Sequence, residues 1–253
     1  DALPITNYRP VSGRPFLSKI LEKIASSRLH AHKHQHNLIE KFQSAYRKGH
    51  STESAVTRVH NDILHSIDNG KCVFLVLLDL SAAFDTVSHD ILLKRLQSRF
   101  GISGSAHEWI ASYLNNRSQC VHANSTTSDS VTLKYGVPQG SVLGPDFFSD
   151  YTSELSSIIA SFGIKFHCYA DDTQLYIEFT PGLDESSVLA KLEQCIDELR
   201  KWMSQNKLKF NECKTEFIFL GTPSRLKKIT MTSLQVGNQT VPPSHSLRHP
   251  AAH

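Results

Sequence analysis

Ile164-Lys-Phe-His-Cys-Tyr-Ala170-Asp171-Asp172-Thr-Gln-Leu-Tyr-Ile-Glu-Phe179 is the stretch on which the fold turns. Both flanks have the aromatic and β-branched content of strands, so the segment reads as a hairpin with Asp171-Asp172 at its tip. An Asp-Asp pair alone is ordinary turn chemistry, because both residues bond their own local backbone. A second stretch changes its weight. Cys72-Val-Phe-Leu-Val-Leu-Leu78 is apolar on both faces, as a central strand covered on both sides must be, and it runs directly into Asp79. If this strand neighbours the hairpin, Asp79, Asp171 and Asp172 gather at one end of a sheet. Their mutual repulsion then calls for hard cations. Two Mg²⁺ ions held in that way suit in-line phosphoryl or nucleotidyl transfer.

Outward from these strands the pattern becomes helical. Leu17, Ile20, Leu21, Ile24, Ala25 and Leu29 recur at helical spacing, with Ser18 as the expected cap and an end near His32. Ser51 or Thr52 should cap a second helix through Ala55, Val56, Val59, Ile63, Leu64 and Ile67, which Gly70 terminates. Each of these helices is expected to pack an apolar face. Ser88 should start a helix through Leu96, and Trp109, Ile110, Tyr113 and Leu114 mark another. Short strands are expected at 119–123 and 131–135. A Gly/Pro-punctuated loop, 136–145, leads into one helix carrying Phe147, Phe148, Tyr151, Leu155 and Ile159. A long helix over 187–203 and a strand over 216–220 follow. Helices, strand, helices, hairpin, helix and strand in that order predict an α+β fold, an antiparallel sheet with helices packed on one face.

Composition sets bounds. The 253 residues are 40% hydrophobic and 20% charged, enough for a sizeable core. No apolar run reaches the roughly 18 residues of a membrane helix, so a soluble protein without a membrane partner is expected. The opening Asp1-Ala-Leu-Pro4 has no initiator Met or signal pattern and reads as a piece of a longer polypeptide. Cys72, Cys120, Cys168, Cys195 and Cys213 lack metal or redox spacing, which favours reduced thiols in an intracellular setting. A formal charge of +3 permits a polyanionic partner without announcing one. The histidine-rich stretch 30–36 places His30/His34 and His32/His36 at helical spacing, but no carboxylate or cysteine nearby completes a metal site, and a solvated helix end or loop is the expectation.

Four motifs in order carry a resemblance: Leu78-Asp79-Leu-Ser-Ala-Ala-Phe84-Asp85, Gly136-Val-Pro-Gln139-Gly140-Ser-Val-Leu-Gly-Pro145, Tyr169-Ala170-Asp171-Asp172, and Leu208-Lys-Phe-Asn211-Glu-Cys-Lys214-Thr-Glu. Together they resemble the successive motifs of reverse transcriptases. Asn7-Tyr8-Arg9-Pro10-Val11-Ser12, Lys19-Ile-Leu-Glu-Lys23 and Phe42-Gln43-Ser44 are similar to the N-terminal signature of the non-LTR, LINE-type retrotransposon subgroup. The resemblance runs from about Tyr8 to Val241.

It implies a fingers-and-palm polymerase: fingers over 1–70, palm with the first catalytic Asp over 71–98, fingers or connecting helices over 99–130, palm over 131–240 and a truncated tail over 241–253. It implies an RNA-directed DNA polymerase working on an RNA template, a DNA primer or target and dNTPs, with an endonuclease domain in the full polyprotein. The setting implied is an intracellular ribonucleoprotein, cytoplasmic or nuclear. Asp79, Asp171 and Asp172 would hold two Mg²⁺ ions, with Mn²⁺ as a substitute. Lys214 would protonate or charge-stabilise departing pyrophosphate. Tyr169 would abut the primer end, and small Ala170 would let the hairpin tip approach it. Phe84 would exclude a ribose 2′-hydroxyl. Gln139 and Gly140 would contact template and nucleotide, and Arg9, Arg47 and Lys48 triphosphate or template. Asp85 is expected to cap the turn toward the next helix, outside the metal site.

The chain departs from the family pattern at Arg14, Asp146 and Asp150, where apolar residues are usual. A charge buried there costs several kcal/mol unless exposure or pairing relieves it. The sequence after Pro243 does not continue into a thumb, so a missing thumb and weak grip are expected. A catalytically inactive nucleic-acid-binding remnant is the alternative reading. An RNA-making palm is a third, which Phe84 disfavours.

Overall fold

Burial and hydrogen bonding turn these patterns into the following elements in a computed structural model that describes residues 11–81, 84–123 and 125–244. The first are α1 (Phe16–Gln35), α2 (Thr52–Asp68), β1 (Cys72–Leu78), β2 (Leu80–Ser81), α3 (His89–Ser98) and α4 (Gly104–Leu114). Short strands β3 (Arg117–Gln119), β4 (His122–Ala123), β5 (Thr126–Thr127) and β6 (Val131–Leu133) lead to α5 (Leu143–Thr152) and α6 (Leu155–Ser161). Then come β7 (Lys165–Tyr169), β8 (Asp172–Phe179), α7 (Glu185–Gln205), β9 (Lys209–Phe210) and β10 (Glu216–Leu220). A short α8 (Pro223–Leu226) and the hairpin β11 (Leu234–Val236) with β12 (Gln239–Val241) complete the order. The chain divides into two compact units. One runs to Ile39 and resumes after Ser81 as far as Thr152; the other comprises Glu40–Ser81 and everything described from Ser153 onward.

In the second unit, β1 is central in a four-stranded antiparallel sheet of order β10-β1-β8-β7. Val73 and Leu75 on one face join Val59 and Ile63 of α2, with Tyr176 and Ile218 from the flanking strands. Phe74 points to the other face and stacks on Phe179 with ring centroids 3.9 Å apart. A strand apolar on both faces is therefore buried on both, as its composition predicts. The start of α2 is fixed by a capping box: Ser54 N–H donates to Ser51 Oγ at 3.2 Å, and Ser51 N–H donates to Ser54 Oγ at 2.8 Å. Gly70, at φ +78°, lies just past the end of α2. The stripe Leu189, Leu192, Ile196, Leu199 and Met203 of α7 is buried as its spacing predicts.

The first unit holds α1, α3, α4 and α5, and here one expectation is corrected. α1 does not bury its apolar face. Phe16 is 76% and Leu17 72% exposed, and Ile20, Leu21 and Ile24 are also exposed, whereas Glu22, Leu29 and Lys33 are buried. The cause is a polar stripe on the opposite face, spaced 22, 26, 30 and 33, that meets a matching series on α5. Glu22 Oε2 accepts the Val142 and Leu143 N–H groups at 2.7 and 3.3 Å, which satisfies orphan donors at the start of α5. Ser26 Oγ donates to Asp146 at 2.6 Å, and His30 Nε2 lies 2.7 Å from the same carboxylate. Lys33 Nζ donates to Asp150 at 2.9 Å. Arg14 pairs with Glu22 at 3.0 Å. Each of the three departures from the family pattern is thus relieved by pairing rather than by exposure.

Other boundaries shift for local reasons. Pro15, not Ser18, stands at the N-cap of α1, since the Ser18 hydroxyl donates to Glu22 and accepts from Arg14. The single helix expected after the Gly/Pro loop is two. Thr152 Oγ1 bonds back to Phe148 O and Ser156 Oγ to Ser153 O, side-chain competition that favours a helix end. The histidine-rich stretch lies on the last turns of α1, with His30 on Asp146 and His32 2.7 Å from the Phe100 carbonyl oxygen. No helix among the described residues is long and apolar enough to cross a membrane.

Candidate active site

The second unit assembles one end of its sheet from residues far apart in sequence. β1 pairs antiparallel with β8 as far as Leu78↔Thr173, so Asp79 follows the last paired residue of one strand and Asp172 precedes its counterpart on the other. Directly opposed residues in such a ladder sit about 4.5–5.5 Å apart at Cα. Asp171 occupies the turn between β7 and β8, half-buried, and Asp172 is exposed. The strand neighbourhood on which the sequence argument depended is therefore present.

Asp79 is held from both ends. Asn211 N–H donates to the Asp79 carbonyl at 3.0 Å, and Asn211 Nδ2 donates to Asp79 Oδ2 at 3.1 Å. The 3₁₀ turn Glu212–Lys214 then brings Lys214 back, with Nζ 3.0 Å from the same Oδ2. Lys214 is 65% and Asp79 20% exposed in their side chains, so this ion pair is solvated on its basic side. A pair of that kind contributes little to stability, on the order of 0–1 kcal/mol. Among the described residues no group of three His, Cys, Asp or Glu side chains is gathered tightly enough to hold a metal ion.

The turn itself is constrained. Tyr169 and Asp172 are direct partners, leaving Ala170-Asp171 as a two-residue loop with φ +57° at Ala170. A left-handed Ala is uncommon, since its Cβ crowds the following carbonyl. Gln43 spans it, accepting the Ala170 N–H at 3.0 Å and donating to the Ala170 carbonyl at 3.2 Å. Tyr46 is close enough that, after burial, the charge of Asp171 pushes its phenol up. Arg47 Nη1 donates to the carbonyls of Glu40 and Gln43, both at 3.0 Å, which makes it a brace for this loop. Lys48 is exposed.

The remaining sequence-nominated residues fall in the first unit. Phe84 is half-buried and stacks on Phe148 with centroids 4.8 Å apart, while its carbonyl accepts Val137 N–H at 2.8 Å. Gly136, at φ +90°, has room for no side chain: a Cβ there would stand 3.0–3.2 Å from the Asp85 backbone. The Asp85 carboxylate receives Gln139 Nε2 at 3.3 and 3.4 Å. Gly140 is exposed, at φ +82°. Arg9 lies outside the described residues.

Reasoning from sequence missed Gln43, Tyr46 and Asn211 as members of this cluster. Gln43 and Asn211 stood inside quoted motifs, but an amide's function depends on partners that no local pattern names.

A family model described as reverse transcriptase (RNA-dependent DNA polymerase) matches residues 4–241. The chain belongs to the reverse transcriptase family. Among curated relatives it is 34% identical over 149 residues to the probable RNA-directed DNA polymerase from transposon BS of Drosophila melanogaster, covering 59% of this chain and 16% of that protein. It is 30% identical over 205 residues to the RNA-directed DNA polymerase from mobile element jockey of Drosophila funebris, covering 79% and 22%. The reverse transcriptase chain thus spans about a fifth of the length of these relatives. Its fold is similar to telomerase from Candida tropicalis in complex with a fragment of telomeric RNA, with TM-score 0.60 at 16% identity over 94% of this chain and 39% of that one. The same enzyme lacking its C-terminal domain aligns with TM-score 0.56 at 15% identity, over 91% and 48%. That likeness identifies the fingers-and-palm polymerase fold in the reverse transcriptase chain.

Proposed function

We propose that this chain is the polymerase domain of a LINE-type retrotransposon protein, an RNA-directed DNA polymerase that extends a primer along an RNA template by nucleotidyl transfer from dNTPs. The observation that carries this reading is the ladder that sets Asp79 and Asp172 at adjacent ends of paired strands, with Asp171 in the connecting turn. Residues 71–98 and 131–240 would belong to the palm, 1–70 to the fingers and 99–130 to the fingers or connecting helices, and an endonuclease would accompany the domain in the full-length protein.

The donor chemistry fits Mg²⁺, since Asp79, Asp171 and Asp172 offer only hard carboxylate oxygen and Asp79 already holds a cationic group, Lys214, at 3.0 Å. Two such ions, or Mn²⁺ in their place, would be held by these three carboxylates and would supply Lewis-acid stabilisation of the attacking 3′-hydroxyl and the departing pyrophosphate. Asn211 keeps the Asp79 carboxylate oriented by its bond to Oδ2. Lys214, on a solvated stem, would move its ammonium from Asp79 to the pyrophosphate oxygens and donate a proton or charge there. Tyr169 would abut the primer end beside Ala170. Phe84 would limit the sugar by steric exclusion of a 2′-hydroxyl, its ring braced on Phe148. Gln139 and Gly140 would contact template and nucleotide, with Gln139 steadied by Asp85. Arg9 and Lys48 would contact triphosphate or template, and Arg47 would act through the loop it braces.

The test is primer extension on an RNA template with dNTPs in one arm and rNTPs in the other. Extension with dNTPs that EDTA abolishes is expected. Folded chain that binds template-primer but extends nothing with Mg²⁺ or Mn²⁺ would make it an inactive binding remnant, and preference for rNTPs would make it an RNA-directed RNA polymerase.

A further inference from the structure

We infer that Gln43 is a positioning residue for the Asp171-Asp172 turn, holding Ala170 in its left-handed conformation so that the two carboxylates keep their place. This rests on the polymerase reading above, in which those carboxylates hold the catalytic ions.

Three observations combine. The loop between β7 and β8 has two residues, of which Ala170 has positive φ, a position where such hairpins ordinarily carry Gly. Nothing in an alanine side chain compensates for that conformation. The compensation comes from outside the hairpin. Gln43 Oε1 accepts the Ala170 N–H at 3.0 Å while Nε2 donates to the Ala170 carbonyl at 3.2 Å, so one amide grips the peptide groups on both sides of the same Cα. The partners also fix which end of the amide is which, because Oε1 accepts a second N–H, from Ala45, at 3.0 Å.

The clamp is itself anchored. Phe42 and Ser44 clip onto the outer edge of β7: Cys168 N–H donates to Phe42 O at 2.7 Å, and Ser44 N–H donates to Cys168 O at 3.0 Å. Ser44 Oγ lies 2.8 Å from His167 Nε2. Arg47 bonds the Gln43 carbonyl at 3.0 Å. Gln43 is 7% exposed, so water is a poor substitute for either of its bonds. A side chain that bridges both peptide groups of one strained residue constrains its dihedrals, and those dihedrals aim the residue that follows, Asp171.

The experiment compares the 253-residue parent with Gln43→Met, which keeps the shape and loses both bonds, with Ala170→Gly, and with the double variant. Three readouts are taken: hydrogen exchange of the residue-170 amide, Mn²⁺ binding followed by the electron paramagnetic resonance of free Mn²⁺, and primer extension. Gln43→Met should speed exchange at Ala170, weaken Mn²⁺ binding, and slow extension by roughly 10- to 100-fold, the scale of a small misplacement of reacting groups. The same substitution made in the Ala170→Gly background should cost only a few-fold, because glycine adopts the left-handed region without help. Unchanged exchange at Ala170, or an equal loss in both backgrounds, would overturn the inference. The exchange readout needs no polymerase activity, so a parent that fails to extend primers would refute the proposed function while leaving the clamp testable.

Discussion

Two groups of carboxylates, one in each unit, stand in opposite settings. In the first, Glu22, Asp146 and Asp150 are buried and each is answered from within the chain, by Arg14 and backbone N–H groups, by Ser26 and His30, and by Lys33. Burial pushes the Asp150 carboxyl up, against the pull of Lys33, and removing one partner of such a buried pair costs more than keeping both. In the second, Asp79 and Asp172 stand at strand ends within reach of solvent, and Asp79 is answered by a lysine that is itself mostly exposed. A closed set of charges builds structure. A set left accessible at a strand end has a counter-charge that can be exchanged, which is what a metal and substrate site requires.

Substitutions should separate the two classes. Asp79→Asn removes a charged oxygen ligand with little change of shape, and Mg²⁺-dependent primer extension should fall by at least about 10³-fold while the melting temperature stays within a degree or two of the parent. A large loss of Tm would place Asp79 with the structural carboxylates. Lys33→Met should do the reverse, costing about 3–5 kcal/mol in denaturant unfolding because Asp150 is left buried without its cation. Lys33→Met with Asp150→Leu should recover most of that cost, and failure to recover would mean that Asp150 has a duty besides pairing.

Phe84→Ala sharpens the contrast, because Phe84 stacks within the first unit yet is assigned a substrate role. The ratio of kcat/KM for dGTP over GTP should fall roughly 10- to 100-fold, as expected for a small group admitted where a ring excluded it. Equal losses for both nucleotides would make it a packing residue stacked on Phe148.

The smallest expected effect concerns His167, a buried base in the second unit. Burial, then the neighbouring charges of Arg58, His50 and Arg47, hold its imidazole below the usual histidine range. The unfolded chain takes up a proton near pH 6.5 where the folded chain does not, so its contribution to stability is complete above about pH 6.5 and is lost as pH falls toward the folded value. His167→Gln should flatten unfolding free energy against pH in that window. An unchanged slope would assign the dependence to other groups.

Much of this organisation is legible in sequence because it depends on local pattern. Cys72–Leu78, Glu216–Leu220 and the hairpin around Asp171 follow from composition and turn chemistry, and the buried stripe of α7 follows from spacing. The spacing of α1 is just as regular, yet its polar face is the one that packs. Periodicity reports that a helix has two unlike faces, and not which is buried when a polar face finds complementary partners more than a hundred positions away. Asp146 and Asp150 looked costly for the same reason, since each was weighed without Ser26, His30 or Lys33. The carboxylates of the candidate site stand out in sequence because their residue type states their chemistry. Gln43 and Asn211 do not, because their part is to hold other residues and is visible only in the bonds they make.

The most direct test of the distinction between closed and accessible carboxylates is a paired measurement on Asp171→Asn and the parent: dNTP incorporation on a primed RNA template with saturating Mg²⁺, and the Tm of the same samples. The parent should extend the primer and the variant should not, with superimposable melting curves. Extension retained by the variant, or its loss together with a drop in Tm as large as that of Lys33→Met, would contradict the assignment of this strand end as the catalytic site.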